Sequence, residues 1–274
     1  MPLGETGTAW LHPEDAPPFE AQSPGPNAGS VIVICDHASN ALPRRLATLG
    51  LAARRLDEHI AYDIGAVGVA RHLAIELEAG YVFGRYSRLA ADLNRSARDR
   101  SVIPAISDGV LVPGNLGLTA HERAARIEAL HEPYHREIDR MLTAQVEAGS
   151  PPVVVAIHSF TPSISSIPRP WHVGVLWDKD ARLAIPLLAA FRAQGDLLVG
   201  DNEPYSGRHP ADYSIDHHAE RGGFAHAAIE IRQDLIATPT EQRDWAIRLG
   251  RILRPILEDR RLYARRRSGT AASP

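Results

Sequence analysis

The chain has 274 residues, of which 44% are hydrophobic and 23% are charged, proportions that are typical of globular proteins. They exclude a disordered or collagen-like chain, and the length fits one large α/β domain or two small ones. The formal net charge of −3 gives no reason to expect a nucleic-acid partner.

The cysteine content and the apolar runs suggest a cellular location. Cys35 is the only cysteine, which excludes an intrachain disulfide and favours a reducing compartment, and its apolar surroundings predict a buried, inert thiol. No apolar stretch approaches the roughly 20 residues of a membrane helix, and the N-terminal region lacks the features of a signal peptide. We therefore expect a cytoplasmic protein with no membrane partner. Lys179 is the only lysine among 30 lysine and arginine residues, a bias that favours a bacterial origin.

The two ends of the chain differ in composition from the region between them. Residues 1–29 are rich in proline and glycine, which predicts an extended leader packed onto a single domain of residues 30–262. Residues 263–274 include the basic run Arg265-Arg266-Arg267 and predict a disordered tail.

Short apolar runs alternate with stretches of helical periodicity along the predicted domain. Residues 31–35 and 153–157 are continuous apolar runs, which indicate strands buried on both faces. Weaker runs predict further strands at 80–83, 172–177, 197–199 and 227–231. Helical spacing covers 63–78, 119–146 with an interruption at Pro133, 180–194 and 239–260. The alternation predicts a three-layer α/β sandwich with a mostly parallel, mixed central sheet.

Ionisable side chains stand at or near the ends of several predicted strands. His37 and His158 each follow a continuous apolar run, and Glu230 lies inside the run at 227–231. Ligands of open parallel sheets bind at the carboxyl ends of the strands, so we expect these three side chains to converge. Two histidines suit a catalytic zinc site, which has about three protein ligands and an open position for water. A carboxylate such as Glu230 would accept the proton of that water.

Each of these residues also has a structural interpretation. A histidine after a strand often serves only as a hydrogen-bonding residue, and Glu230 could form a salt bridge with Arg232 or Arg88. Motifs of serine hydrolases, P-loop proteins and dinucleotide-binding proteins are missing from the sequence, which argues against those classes.

Three residues compete for the position of the third metal ligand. Glu58, His59 and Asp63 lie close together in the sequence. We prefer Asp63 because it opens the helix predicted at 63–78 and faces back towards the strand ends. Its alternative role is that of a helix N-cap.

Several segments together resemble a known family. They are Cys35-Asp36-His37-Ala38-Ser39-Asn40 with Pro43, Asp63-Ile64-Gly65-Ala66, Ser87-Arg88-Leu89-Ala90-Ala91-Asp92-Leu93-Asn94-Arg95, Ala156-Ile157-His158-Ser159-Phe160, Asn202-Glu203-Pro204-Tyr205-Ser206-Gly207, Asp216-His217-His218-Ala219-Glu220 and Ile229-Glu230-Ile231-Arg232-Gln233-Asp234-Leu235. In this order they resemble the N-formylglutamate amidohydrolase family. The resemblance implies a fold like that of zinc-dependent exopeptidases and carboxypeptidases. It also implies hydrolysis of an N-acyl amide, with N-formyl-L-glutamate giving formate and L-glutamate as the family's named reaction.

The resemblance implies roles for individual residues. His37 and His158 would bind one Zn²⁺, with Asp63 as our preferred third ligand, and Glu230 would be the general base. His218 would be a second catalytic residue that hydrogen-bonds the tetrahedral intermediate. Tyr205 and Ser206 would line the substrate pocket. We add Arg88, Asn94 and Arg95 as substrate-binding residues, with the two arginines holding the substrate carboxylates in planar, two-point contacts. The alternative for the two arginines is pairing with Asp92 or a buried glutamate.

One position departs from the expected pattern. Zinc sites of this fold often carry His-x-x-Glu after the first strand, whereas Asn40 occupies the glutamate position here. Two alternatives therefore stay open beside the deformylase interpretation. The substrate is another N-acyl amino acid or a small peptide, or the protein is a non-catalytic relative that binds a small acid.

Overall fold

The computed structural model describes residues 10–25, 30–208 and 212–266, and a seven-stranded mixed sheet lies at its centre. In chain order the strands are β1 (Phe19–Gln22), β2 (Val31–Cys35), β3 (Gly80–Gly84), β4 (Ile106–Ser107), β5 (Val110–Leu111), β6 (Val153–Phe160), β7 (Ser163–Ile164), β8 (Ile167–Pro168), β9 (Val173–Leu176), β10 (Val199–Asp201) and β11 (His226–Arg232). The α-helices are α1 (Ala66–Glu76), α2 (Ala120–Arg126), α3 (Glu132–Glu147), α4 (Ala181–Ala193) and α5 (Pro239–Leu257). Two π-helical segments, Ile127–His131 and Ile215–Glu220, complete the larger elements.

The sheet has the strand order β1-β3-β2-β6-β11-β9-β10. Strands β3, β2, β6 and β11 run parallel to their neighbours in this order. Strand β9 is antiparallel to β11 and parallel to β10. The prediction of a mostly parallel, mixed central sheet is therefore confirmed. Every residue of β2 and β6 is buried, as expected for strands covered on both faces.

Helices cover both faces of the sheet. On one face, α1, α4 and α5 contribute Leu73, Leu187 and Leu249 to a core that includes Val33 and Val155. On the other face, α3 and the segment Ile215–Glu220 pack against the side chains of alternate strand residues. This gives the three layers expected from the sequence. Cys35 is buried on the first of these faces, and burial raises the pKa of its thiol to about 12.

The predicted leader contributes a strand to the sheet. Strand β1 pairs antiparallel with β3, from Phe19 opposite Gly84 to Gln22 opposite Tyr81. Phe19 packs on the core of the second face. A four-residue strand is too short for its periodicity to stand out among prolines. The sheet therefore begins before residue 30, while residues 1–9 and 26–29 of the predicted leader lie outside the described residues.

The start of the predicted tail is ordered against the domain. The backbone N–H of Arg266 donates to the carbonyl of Gly223 at 2.8 Å, and its guanidinium donates to the carbonyl of Lys179, also at 2.8 Å. A run of basic residues in the sequence does not indicate such long-range hydrogen bonds. The rest of the predicted tail, 267–274, lies outside the described residues.

The long helical stretch changes geometry before Pro133, and not at Pro133 as predicted. Helix α2 ends at Arg126, a π-helical segment follows, and α3 begins at Glu132 with Pro133 in its first turn. A proline is tolerated there because the first N–H groups of a helix have no partner within it. No helix in the described part of the chain is long and apolar enough to cross a membrane.

Candidate active site

Three neighbouring parallel strands bring the predicted catalytic side chains together. His158 lies on β6, Glu230 lies on β11, and His37 follows β2 by two residues. The register places Glu230 directly opposite His158. All three side chains line one cavity of about 360 Å³. The convergence expected at this edge of the sheet is what the structure shows.

Asp63 joins the two histidines to form a group that we call the strand-end cluster, which consists of His37, Asp63 and His158. One ligand atom from each residue lies within 4.8 Å of the others. The Oδ2 atom of Asp63 is 2.8 Å from Nδ1 of His158 and 3.4 Å from Nδ1 of His37. Two imidazole nitrogens and one carboxylate oxygen are a donor set typical of catalytic zinc sites. The residues present therefore fit a zinc ion.

The turn before α1 brings Asp63 to this position. The backbone N–H of Asp63 donates to the carbonyl of His37 at 3.0 Å. Gly65, with φ of 80°, is the N-cap residue of α1, so Asp63 does not have the N-cap role considered as an alternative. A Cβ atom at Gly65 would lie 2.2 Å from the carbonyl oxygen of Ile236. Glycine is therefore required there both by the left-handed backbone and by the close approach.

Each histidine of the cluster turns its other ring nitrogen towards a buried carboxylate. Nε2 of His37 is 2.7 Å from Oδ1 of Asp92, and Nε2 of His158 is 3.4 Å from Oδ2 of Asp36. A carboxylate behind a ligating histidine fixes its tautomer and orientation. A proton on each Nε2 would leave the Nδ1 atoms of both rings available to bind an ion beside Asp63.

Asp36 and Asp92 received no role from the sequence, although both lie inside the motifs that carry the family resemblance. Asp36 is itself held in place, because its Oδ1 accepts hydrogen bonds from the hydroxyls of Tyr134 and Ser214, both at 2.7 Å. In the sequence, only their positions at or near the end of a predicted strand could have indicated such a role.

Buried charges determine the electrostatics of the cluster. Burial opposes protonation of His158, but the nearby carboxylates of Asp36 and Glu230 raise its pKa to about 10. Burial, together with the nearby Arg88, lowers the pKa of His37. Burial raises the pKa of Asp92, but the charge of His37 and its hydrogen bond outweigh this and bring the pKa to about 2. The positive charge on His158 offsets its carboxylate neighbours, a compensation that a bound divalent cation would also supply.

Glu230 has the properties of a general base. It is 6% exposed, and its Oε2 atom has no hydrogen-bond partner among the described residues. Burial raises its pKa, and the nearby Asp212 adds to this effect although His158 opposes it. A carboxyl group with a raised pKa can both accept and return a proton near neutral pH. The two arginines considered as salt-bridge partners of Glu230 pair with other carboxylates, Arg232 with Asp234 at 2.7 Å and Arg88 with Asp63.

The five predicted substrate-binding residues line the same cavity, and they are Arg88, Asn94, Arg95, Tyr205 and Ser206. Arg88 forms an ion pair with Asp63, and its Nε atom is buried without a hydrogen-bond partner in the described structure. The Tyr205 hydroxyl accepts a hydrogen bond from Arg169 at 2.9 Å. Arg169 was not predicted, and no motif in the sequence indicates it.

The turn that carries Tyr205 and Ser206 depends on a glycine in the sheet. Gly174 on β9 is opposite Glu230 in the register. A Cβ atom at Gly174 would lie 1.9 Å from the carbonyl oxygen of Glu203. The missing side chain thus lets the turn approach the sheet beside Glu230.

The other residues considered as metal ligands have different surroundings. Glu58 pairs with Arg55 at 2.7 Å, and Asn40 donates to Asp57 at 3.2 Å on the exposed side. His59 lines the cavity, with Nδ1 3.9 Å from Asp63, and burial lowers its pKa to about 3. The structure thus brings Asp63, and not Asn40, to the histidines.

The structure does not bring His218 to the cavity. It lies on the segment Ile215–Glu220, with Nδ1 2.7 Å from Oδ1 of Asp139 and Nε2 2.8 Å from Nδ1 of His135. Both ring nitrogens therefore have partners away from the strand-end cluster. This placement differs from the contact with a tetrahedral intermediate that the resemblance implies, because a motif does not encode which side of a helix faces the cavity.

Comparison with known proteins identifies the family of this chain. The family model of N-formylglutamate amidohydrolase matches residues 29–237. A solved structure of a gene product from Agrobacterium tumefaciens is 36% identical, with a TM-score of 0.86 and coverage of 90% of this chain and 98% of its own. The N-formylglutamate amidohydrolase of Ralstonia eutropha JMP134 shares the fold at 20% identity, with a TM-score of 0.64 and coverage of 88% of this chain and 99% of its own. Among curated proteins, none matches this chain.

The family match defines the protein as a hydrolase. More particularly, the chain belongs to the N-formylglutamate amidohydrolase family, which confirms the resemblance noted in the sequence.

Proposed function

We propose that this protein is a zinc-dependent amidohydrolase that cleaves N-formyl-L-glutamate to formate and L-glutamate. The observation that carries the proposal is the position of Glu230 beside the strand-end cluster in a cavity that also contains Arg88 and Arg95. The family match supports the reaction type. Neighbouring strand ends carry the proposed ligands, which supports a zinc-exopeptidase-like fold. Cys35 is a free thiol, which supports a cytoplasmic location.

His37, Asp63 and His158 would hold the ion. When bound, zinc supplies polarisation of a carbonyl group and lowers the pKa of water to about 7. Asp92 and Asp36 lie beside the Nε2 atoms of the two histidines and would thereby keep their Nδ1 atoms available to the ion.

Glu230 would move the proton that the reaction requires. Hydrolysis adds the oxygen of one water molecule to the formyl carbon, breaks the C–N bond and leaves an amine that needs a proton. Glu230 accepts a proton from the water and returns it to the leaving nitrogen. Such proton transfer typically contributes about 10²–10⁴-fold to the rate.

Arginines would recognise the acidic substrate. N-formyl-L-glutamate carries two carboxylates, and a guanidinium binds a carboxylate through two parallel hydrogen bonds. Arg88 and Arg95 are the proposed partners, while Asn94, Tyr205 and Ser206 complete the wall and position the amide. A cavity of about 360 Å³ lies at the small end of ligand pockets, roughly 300–1,000 Å³. This size favours a single acylated amino acid over a peptide.

Formate release from N-formyl-L-glutamate by zinc-loaded protein tests the proposal. We expect turnover by the wild type, loss of turnover in His158→Ala, and unchanged turnover in His121→Ala, which alters an exposed histidine of α2. Release of acetate from N-acetyl-L-glutamate without formate release would move the function to another N-acyl amino acid. Binding of N-formyl-L-glutamate without any product would identify a non-catalytic binding protein.

A further inference from the structure

A second group of ligand-type side chains lies between α3 and the segment Ile215–Glu220. Asp139, His217 and His218 each offer one ligand atom, and these three atoms lie within 4.8 Å of one another. We call this group the helix-face cluster. None of its members lines the cavity of the strand-end cluster, so the proposed reaction does not account for it.

The hydrogen bonds behind His218 define which of its nitrogens faces the cluster. The carbonyl of Leu93 can only accept, so Nε2 of His135 donates to it at 2.9 Å. Nδ1 of His135 then accepts from Nε2–H of His218 at 2.8 Å. This leaves Nδ1 of His218 facing Oδ1 of Asp139 at 2.7 Å. A ligating histidine in metal proteins is held in this way, with one N–H bonded to a supporting group and the other nitrogen directed at the ion.

His217 supplies an independent observation that points to a ligand. Its Nδ1 atom is buried and has no hydrogen-bond partner among the described residues. The ring is fixed by stacking on Tyr213, with centroids 5.0 Å apart, and by an edge contact with His218 at 4.7 Å. A buried polar atom without a partner is costly, and one ring nitrogen of His217 is among the three ligand atoms that lie within 4.8 Å of one another.

The cluster is accessible from the outside. The Asp139 side chain is 58% exposed, whereas that of His218 is fully buried. The arrangement therefore offers ligands from the protein side and leaves the outer side open to water. A water molecule would complete the four-coordinate geometry that zinc prefers.

We propose that Asp139, His217 and His218 form a second metal site, which binds a divalent transition-metal cation such as Zn²⁺. Two imidazoles and one carboxylate favour transition metals over Mg²⁺ or Ca²⁺, which take oxygen ligands. The bound ion would connect α3 to the segment Ile215–Glu220. Ser214, which precedes that segment, donates to Asp36, so the ion supports the residue behind His158. This inference does not depend on the proposed activity.

Metal content per chain tests this proposal without reference to activity. Tag-free protein is equilibrated with micromolar Zn²⁺, dialysed and measured by mass spectrometry of the metal. We expect two zinc ions in the wild type, one in His217→Gln and one in Asp139→Asn. His121→Gln, the matched exposed control, is expected to retain both. Circular dichroism and the thermal midpoint check that each variant is folded, and Asp139→Asn changes the charge with little change in shape.

The decisive result is whether an ion is lost with the helix-face ligands. Equal zinc content in the wild type, His217→Gln and Asp139→Asn would overturn the proposal, whatever that content is. If the wild type holds one ion that His217→Gln loses and His158→Ala keeps, the helix-face site stands and the zinc centre of the proposed function fails. The two proposals are therefore distinguished by the same set of variants.

Discussion

The two clusters of histidine and aspartate differ in what stands behind each imidazole. In the strand-end cluster, the supporting groups of His37 and His158 are the carboxylates of Asp92 and Asp36. In the helix-face cluster, His218 is supported by the neutral ring of His135, whose pKa burial holds well below its usual value. Carboxylate support adds negative charge and basicity to a ligand, whereas a neutral partner only orients it.

The two clusters also differ in their position in the fold. The strand-end cluster is buried, lies at the edge of a rigid sheet and has Glu230 beside it. The helix-face cluster is partly exposed through Asp139. Ligand sets of similar chemistry are therefore suited to different tasks, the first to hydrolysis and the second to holding two helical segments together.

The largest expected effect comes from removing the base that only the strand-end cluster has. Glu230→Gln keeps the size of the side chain but cannot accept the proton, so turnover of N-formyl-L-glutamate is expected to fall by about 10²–10⁴-fold. Zinc content is expected to remain that of the wild type. Glu128→Gln, on the exposed side of the Ile127–His131 segment, is the matched control. Near-wild-type turnover in Glu230→Gln would remove this residue from the base role.

The carboxylate behind His37 is the next target. Asp92→Asn retains the shape but loses the charge, and we expect zinc affinity at the strand-end cluster to fall roughly 10–100-fold. Competition with a chromophoric chelator measures this affinity. Asp139→Asn, which alters the helix-face cluster instead, is the control. Unchanged affinity in Asp92→Asn would show that the hydrogen bond at 2.7 Å orients His37 but does not strengthen its binding of zinc.

A smaller effect is expected from a substitution in the sheet beside the turn that forms one wall of the strand-end site. Gly174→Ala places a methyl group against the carbonyl of Glu203, so the turn carrying Tyr205 must shift. Overpacking of this kind lowers the free energy of unfolding by ~1–3 kcal/mol, and we expect KM to rise with the displaced wall. Urea denaturation and steady-state kinetics measure the two effects. Gly195→Ala, at a position where a Cβ meets no atom within 4 Å but φ is positive, separates backbone strain from crowding. Wild-type KM in Gly174→Ala would show that the turn does not contact the substrate.

The smallest effect concerns an ion pair that connects the two regions. Nε2 of His226, at the start of β11, is 3.3 Å from Oε2 of Glu220 in the segment that carries His217 and His218. Burial alone would raise the pKa of Glu220, but the nearby imidazole of His226 lowers it to about 2. Burial alone would lower the pKa of His226, but the nearby carboxylate of Glu220 raises it above its ordinary value of 6.5.

These shifts predict how stability depends on pH. The contribution of Glu220 is present above its ordinary pKa of 4.5 and is lost as the pH falls through about 2. That of His226 is present below 6.5 and is lost as the pH rises through its raised pKa. The pair is therefore expected to stabilise the fold most between pH 4.5 and 6.5. Urea denaturation of the wild type and Glu220→Gln at several pH values should give a difference that is largest in this window. A difference independent of pH would contradict the assignment.

Much of the fold and part of the site could be predicted from the sequence because both rest on local signals. The runs Val31–Cys35 and Val153–Phe160 are buried on both faces, and consecutive apolar residues report this directly. His37, His158 and Glu230 could be grouped because parallel strands end at the same edge of a sheet. The short strand β1 was missed because four residues among prolines carry little periodicity.

The tertiary structure alone decided the partners of these residues. Asp92 lies 55 positions from the His37 that it supports, and Asp139 lies 79 positions from His218. Residue types and spacing report whether a side chain is buried and which strand carries it. They do not report which distant side chain faces each ring nitrogen, because that depends on strand order, register and the rotation of each helix about its axis. For this reason the sequence determined the ligand types of the strand-end cluster, while the packing of α3 against Ile215–Glu220 determined that His218 belongs to the helix-face cluster.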